Sequence, residues 1–331
     1  MKALVTGGGG FLGGAIARSL LQRGDSVRSI QRGHYPELIE LGVESIQGDL
    51  TNSDAIDSAV IGCDIVYHVA ALAGVWGDYD KYYHANVVAT KNVIDACKKH
   101  NINYLVYTST PSVVFDGTNE EGIDESTPYA ETFFNAYQET KAAAEKLVLR
   151  SNDAKFKTVA LRPHLIWGPG DRHLAPRVIS RAKAGRLSLV GDEENKVDSC
   201  YIDNAVSAHL LAGDCLQGEA KCAGKAYFIS NDEPIAMSDL LNKILATVNL
   251  PPISRRINKH LAYYLGSVFE LVYSVFHIEQ EPLMTRFVAR QLSTSHWFDL
   301  AAAKRDLSYE PTINIDEGMR HLKASLNDEL K

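Results

Sequence analysis

Thr6-Gly7-Gly8-Gly9-Gly10-Phe11-Leu12-Gly13 decides how this chain is read. The short apolar run Ala3-Leu4-Val5 comes before it. After it Phe11, Leu12, Ala15, Ile16, Leu20 and Leu21 recur at helical spacing. Gly7, Gly10 and Gly13 stand three residues apart, a G-x-x-G-x-x-G spacing between a strand and a helix. Glycine at such a place lets the backbone turn tightly and approach a pyrophosphate. The helix N-terminus behind it offers free N–H groups and the positive end of a dipole. A glycine cluster alone is a weak signal; one that joins the first strand of a βαβ unit to its helix is a fairly specific one.

The surrounding sequence supplies that unit. Strand patterns are read at Val27 to Gln31, Glu44 to Gln47, Asp64 to Val69, Tyr104 to Thr108 and Thr158 to Leu161. Helical patterns lie between them near Ser53 to Ile61, Tyr83 to Lys99 and Tyr137 to Arg150. This alternation predicts an α/β fold, a doubly wound parallel sheet covered on both faces. Residues 1–162 are read as a dinucleotide-binding domain. After Arg162 the rhythm breaks at Pro163, Gly168, Pro169 and Gly170. Residues 163–331 are assigned mainly to a smaller, partly discontinuous substrate-binding domain, with segments around 198–230 returning to the sheet.

Composition narrows the function classes. The 331 residues carry 34 basic and 41 acidic side chains, a net charge of −7. So acidic a chain is a poor match for nucleic acid, whose binding rests on phosphate neutralisation. The five cysteines, Cys63, Cys97, Cys200, Cys215 and Cys222, are scattered, with no spacing that signals a disulfide framework or a zinc site. No secretory h-region precedes the glycine cluster, so a cytoplasmic location is the expectation.

Two groups of residues carry chemistry. Tyr137 and Lys141 are spaced i, i+4 and share a helix face. A free tyrosine titrates near 10; a neighbouring ammonium would lower that value and make the phenol a usable general acid/base for a ketone/alcohol pair. Thr108-Ser109-Thr110-Pro111-Ser112 follows the fifth strand. A hydroxyl there would project from the sheet's carboxyl edge and stabilise a developing alkoxide. At the end of the second strand, where a carboxylate would hold the ribose 2′-hydroxyl of NAD, stand Gln31 and Arg32, with Arg28 nearby. A guanidinium suits the 2′-phosphate of NADP. NADP(H) is therefore favoured over NAD(H).

The combination, in this order, resembles the extended short-chain dehydrogenase/reductases, which write the loop T-G-x-x-G-F-[IL]-G. Other segments are similar to the family's motifs: His68-Val69-Ala70-Ala71; Asn86-Val87-Val88-Ala89-Thr90-Lys91-Asn92, with alanine where the family has glycine; Leu161-Arg162-Pro163; and Trp167-Gly168-Pro169-Gly170-Asp171. The resemblance implies a catalytic set of Thr110, Tyr137 and Lys141, with Ser109 and Ser112 as other hydroxyls in reach of the role, and no metal. It implies a cofactor site of Gly7, Gly10, Phe11, Leu12, Gly13, Gln31, Arg32, Asp49, Leu50, Ala70, Ala71, Asn86 and Pro163, together with Tyr137 and Lys141. Asp49 would meet the adenine amino group; by spacing alone it reads equally as a turn aspartate. Lys141 would also hold the nicotinamide ribose. A homodimer through the two long helices of the core is a further implication.

Within the family the chain leans toward the 3β-hydroxysteroid dehydrogenase-like group. Thr108 to Val113, Pro163 to Gly168 and Ser295-His296-Trp297-Phe298-Asp299 look most like a bacterial branch of olefin synthesis that reduces 2-alkyl-3-oxoalkanoates, β-keto acids with two long alkyl arms. A sterol dehydrogenase, a sugar-nucleotide epimerase and a non-catalytic NADP-sensing regulator are the alternatives. His164, Trp167, His296 and Trp297 either line the pocket or pack in the core.

One stretch is unusually apolar. Leu261 to Ile278 holds a single charge, Glu270, and follows Arg255, Arg256 and Lys259. The mid-helix glutamate argues against a membrane span. Three readings remain: a buried helix, a lid over a pocket for a lipid-like substrate, or a helix peripheral to a membrane or a lipid-synthesis complex.

Overall fold

The computed structural model describes residues 1–191 and 194–328. Its centre is a seven-stranded, wholly parallel sheet. The strands are β1 (Lys2–Thr6), β2 (Ser26–Gln31), β3 (Glu44–Gln47), β4 (Ile65–His68), β5 (Tyr104–Thr108), β6 (Lys157–Pro163) and β7 (Lys225–Ile229). Their spatial order is 3-2-1-4-5-6-7. Strands buried on both faces need unbroken apolar runs. Ala3, Leu4 and Val5 meet that condition, as do Ile65, Val66 and Tyr67, all with no exposed surface.

Helices cover both faces: α1 (Phe11–Gln22), α2 (Ser53–Val60), α3 (Ala89–Lys99), α4 (Ala136–Arg150) and α5 (Ile202–Gln217). Leu12, Ile16 and Leu20 of α1 belong to one large cluster. Ile56 of α2 and Val93 of α3 belong to a second cluster on the other face. The strand order reverses between β1 and β4, and in such sheets a ligand sits at the carboxyl ends of the strands beside that switch point.

The helical pattern at Tyr83 to Lys99 is not one regular helix. Tyr83–Val88 winds as a π-helical turn before α3 begins. Beyond the main sheet, four short strands pair as Ile235–Ala236, Lys196–Val197, His296–Phe298 and Glu120–Ile123. Two further helices, α6 (Lys259–Val275) and α7 (Arg286–Ser293), pack on each other. The buried reading of the apolar stretch does not hold. Only Ala262 and Gly266 of α6 are buried, while Leu261, Tyr264, Val268, Leu271, Val272 and Val275 face outward. No helix among the described residues is long and apolar enough to cross a membrane.

Candidate active site

The glycine loop turns immediately after β1. Gly7 has φ +74°, a region that favours glycine. A Cβ on Gly13 would lie 2.3 Å from the Gly7 carbonyl oxygen, and one on Gly8 would lie 2.1 Å from Ser29 Oγ. The loop is thus folded so tightly onto itself and β2 that these positions admit no side chain. The N-terminus of α1 has no side-chain cap and no acidic residue in its first turn. A cradle of bare backbone at an uncapped helix start fits the pyrophosphate of a dinucleotide.

Thr6 ties this loop to the next one. Its Oγ1 accepts from the backbone N–H of Val69 and of Ala70, both at 3.1 Å, and lies 2.8 Å from His68 Nδ1. Both of its lone pairs being taken, Thr6 donates to Nδ1. Nε2–H of His68 then donates to Thr90 Oγ1 (2.9 Å), and Thr90 donates to the Asn86 carbonyl (2.5 Å). Burial, aided by the Lys141 charge, lowers the His68 pKa to about 3, which keeps this chain neutral. Asn86, in the π-helical turn, grips the following loop from both sides. It accepts from Leu72 N (2.7 Å), donates to Leu72 O (3.1 Å) and donates to Thr140 Oγ1 of α4 (3.1 Å). Asn86 therefore positions a loop.

The Tyr/Lys helix α4 lies beside β5 and begins at a capped turn. Asn135 Oδ1 accepts from Gln138 N at 2.9 Å. Thr110, just past β5, and Tyr137 are brought together, near enough for the Thr110 hydroxyl to oppose the rise of the phenol's pKa. Thr110 Oγ1 also accepts from Ser112 N at 3.2 Å and donates to Ser112 Oγ at 3.2 Å. Ser109 Oγ is buried without a partner among the described residues. Lys141 Nζ donates to the Thr108 carbonyl at 2.6 Å and lies 4.3 Å above the Tyr107 ring. The expected pull of Lys141 on Tyr137 is not among the influences on the phenol, whose pKa burial raises against the opposition of Thr110. Burial dominates both groups, raising the Tyr137 pKa and pushing Lys141 down to about 7; Glu145, one turn on, opposes the fall of Lys141. Lys141 is itself 2% exposed.

At the adenosine end the picture is mixed. Arg32 is exposed at the end of β2. Asp49 lies near enough for the Arg32 charge to help lower its pKa, although the Thr51 backbone N–H is the larger cause. Asp49 Oδ1 accepts from both the N–H and the hydroxyl of Thr51 at 2.8 Å, so its side chain closes a turn. Gln31 is turned inward, accepting from Ser29 Oγ (2.5 Å) and donating to Ser45 Oγ (2.8 Å). Arg28 is engaged elsewhere. It donates to the Ala59 and Ile61 carbonyls at the end of α2 and pairs with Glu44. A residue the sequence did not single out, Tyr35, lays its ring against Gly9 and Gly33. Ala70 lies against the loop, its Cα 3.0 Å from where a Cβ of Gly7 would be. Leu50 packs in the core beside α2 and α3. Pro163, the last residue of β6, is paired with Ile229 of β7.

Tyr137 opens onto a cleft of about 410 Å³. Its walls are the loop Val75-Trp76-Gly77, the start of α4 and the inner edge of α6. Asn135 Nδ2 is a buried donor on this wall with no partner among the described residues. Trp76 donates to the Ile278 carbonyl (3.0 Å), fastening the loop to the segment after α6. His164, Trp167, His296 and Trp297 do not line this cleft. His164 bonds the Asp198 carbonyl, Trp167 donates to Ser199 Oγ, and His296 bonds Glu120. The ring of Trp297 lies against Gly122.

A family model matches residues 4–257, that of the 3-beta hydroxysteroid dehydrogenase/isomerase family. The chain belongs to this family. The 2-alkyl-3-oxoalkanoate reductase of Shewanella oneidensis is 54% identical over 332 residues, covering 98% of this chain and 86% of the relative. The protein of the same name from Stenotrophomonas maltophilia is 52% identical over 98% of this chain and 99% of its own. Among solved structures, MoeE5 in complex with UDP-glucose and NAD superposes with a TM-score of 0.78 over the full length of both chains at 21% identity, a likeness of fold. The protein is thus an NAD(P)-dependent oxidoreductase of the extended short-chain dehydrogenase/reductase type, acting on a CH–OH group.

Proposed function

We propose that the protein reduces a 2-alkyl-3-oxoalkanoate to the 2-alkyl-3-hydroxyalkanoate with NADPH, and that Thr110, Tyr137 and Lys141 are its catalytic residues. The observation that carries the reading is the convergence of Thr110 and Tyr137 at the carboxyl edge of β5, on the wall of a cleft bordered by Val75, Trp76, Phe134 and Leu271. The relatives named for that reaction support the substrate class. When bound, a nicotinamide cofactor supplies the hydride that reduces the carbonyl carbon. Thr110 donates a hydrogen bond to the ketone oxygen as negative charge develops there. Tyr137 delivers the proton to that oxygen, so ketone, NADPH and one proton give alcohol and NADP⁺. Lys141, fixed by the Thr108 carbonyl, turns its charge toward the phenolate left behind and holds the nicotinamide ribose. Arg32, exposed at the end of β2, supports NADPH over NADH by pairing with the 2′-phosphate.

The test is NADPH consumption by purified protein with a 2-alkyl-3-oxoalkanoate, beside NADH and a 3β-hydroxysterol assayed in the oxidative direction. Tyr137→Phe should lower kcat by about 10²–10⁴-fold. Arg32→Ala should raise KM for NADPH by about 10- to 100-fold, the worth of a charge-assisted hydrogen bond, and leave KM for NADH unchanged. Turnover of the sterol alone would overturn the substrate. Full activity in Tyr137→Phe would overturn the catalytic assignment.

A further inference from the structure

The proposed substrate is too large for the cleft that holds Tyr137. At roughly 30 Å³ per water-sized group, about 410 Å³ accommodates on the order of a dozen heavy atoms. The β-keto acid head and the first carbons of its arms fill it; two long arms do not.

Helix α6 is built to receive the remainder. Its inward side packs through Ala262, Tyr263 and Gly266 and is fastened by Glu270. Gly266 approaches the backbone of Thr285 and Arg286 so closely that a Cβ would come within 2.6 Å. Glu270 accepts from Arg286 N and Nε, both at 2.6 Å. Its outward side is a stripe without a charged member: Leu261, Tyr264, Val268, Leu271 and Val275, with Val272 beside it and Phe276 just past the helix end, at i, i+3 and i+4 steps. Leu271 is 66% exposed and also forms the edge of the cleft. The stripe therefore reaches the cleft at Leu271, the apolar side chain among Ser267, Glu270, Ser274 and Arg286 on that wall. The row from Tyr264 to Val275 runs about 16 Å at 1.5 Å per residue.

We propose that one alkyl arm of the substrate leaves the cleft over Leu271 and lies along the Tyr264–Val268–Val275 row of α6, making this row a chain-length-determining subsite. The inference rests on the β-keto acid reading above. The occupant follows from continuity: the stripe meets the cleft at the Leu271 side chain, which belongs to both.

The experiment is a series of 2-alkyl-3-oxoalkanoates with arms of graded length, kept below their aggregation concentrations, given to wild type and to the double variant Val268→Ser/Val275→Ser. Both positions lie outside the cleft lining, and their exposure lets the variant fold, which an unchanged melting temperature checks. Covering one side of a methylene is worth about two-fold in binding. In wild type, kcat/KM should climb by about that factor per carbon once the arms exceed the cleft. The variant should keep the wild-type value for the shortest substrates and lose about ten-fold for the longest. Equal losses at all lengths, or no loss, would overturn the subsite while leaving the β-keto acid reading intact. A variant that changes from dimer to monomer by light scattering with its length dependence unchanged would mark the stripe as a contact between copies and overturn the subsite equally. Failure of wild type to reduce any member of the series would overturn the substrate reading itself.

Discussion

Glu120 should make the protein lose stability as pH rises through neutrality, and Glu120→Gln should abolish that loss. Glu120 is 6% exposed and lies 2.9 Å from Nδ1 of the equally buried His296. Burial, reinforced by the Asp116 charge and opposed by Arg162, pushes the Glu120 pKa up to about 8; burial pushes His296 down to about 4. At pH 7 the two groups therefore form a neutral pair in which protonated Glu120 donates to Nδ1. His296 Nε2–H donates in turn to Thr294 Oγ1 at 2.9 Å, and Thr294 donates to the Arg290 carbonyl at 2.7 Å. The folded-state pKa of Glu120 lies above its ordinary value of 4.5, so between those limits the folded protein keeps a proton that the unfolded chain has released. Unfolding free energy then falls as pH rises, by at most about 1.4 kcal/mol per pH unit for this group. In the variant, the glutamine side-chain amide donates the same hydrogen bond and does not titrate. Urea denaturation of both proteins from pH 5 to 9 isolates the group. Asp198, raised to about 6, and Lys141, lowered to about 7, titrate in both proteins and cancel in the difference. The variant should gain on wild type steadily up to about pH 8 and hold a constant lead above it. A difference that stays flat between pH 5 and about 6.5 would mean a charged Glu120–His296 ion pair, which changes its protonation relative to the unfolded chain only outside that range, and would refute the neutral one.

Gly13→Ala should weaken dinucleotide binding. Its Cβ meets the Gly7 carbonyl at 2.3 Å, and backbone cannot swing aside as a side chain does. Overpacking of this kind costs about 1–3 kcal/mol, so titration of cofactor fluorescence should show roughly a ten-fold or larger rise in Kd, and an unchanged Kd would remove the loop from the cofactor site. Glu145→Gln should cost about 3–5 kcal/mol of unfolding free energy in a denaturant titration, because Arg162 (3% exposed) would keep a buried charge facing a neutral partner. A loss under about 1 kcal/mol would mean that Tyr129 and Phe228, whose rings flank the guanidinium, suffice to hold it.

The parts of this protein legible in the sequence are those fixed by local backbone chemistry. A glycine run after a strand, alternating apolar patterns and a Tyr/Lys pair one turn apart each act over a few residues. They correctly gave the parallel sheet and the oxidoreductase family. What escaped is set by distant partners. Arg28 stands near the second strand's end in the sequence, and only the fold shows its side chain donating to the Ala59 and Ile61 carbonyls at the end of α2. The partners of Gln31, Ser29 and Ser45, are likewise set by the pleat of its own strand and by the neighbouring strand. Tyr83 to Lys99 has the composition of one helix. The π-helical turn within it delivers Asn86 to the loop after β4, and such local irregularities recur at functional positions.

The apolar helix misleads for a different reason. Periodicity locates an apolar face but not what it meets. Gly266 and Ala262 let α6 approach its neighbours closely beside Tyr263, and Glu270 fastens that side to α7, which leaves Leu261, Tyr264, Leu271 and Val275 outward. The polar residue that argued against a membrane span is thus also the one that orients the helix. Because Glu270 and Leu271 are consecutive on the cleft wall, fixing the first aims the second at the mouth beside Tyr137. The arrangement that exposes the stripe is the same one that joins it to the site of chemistry.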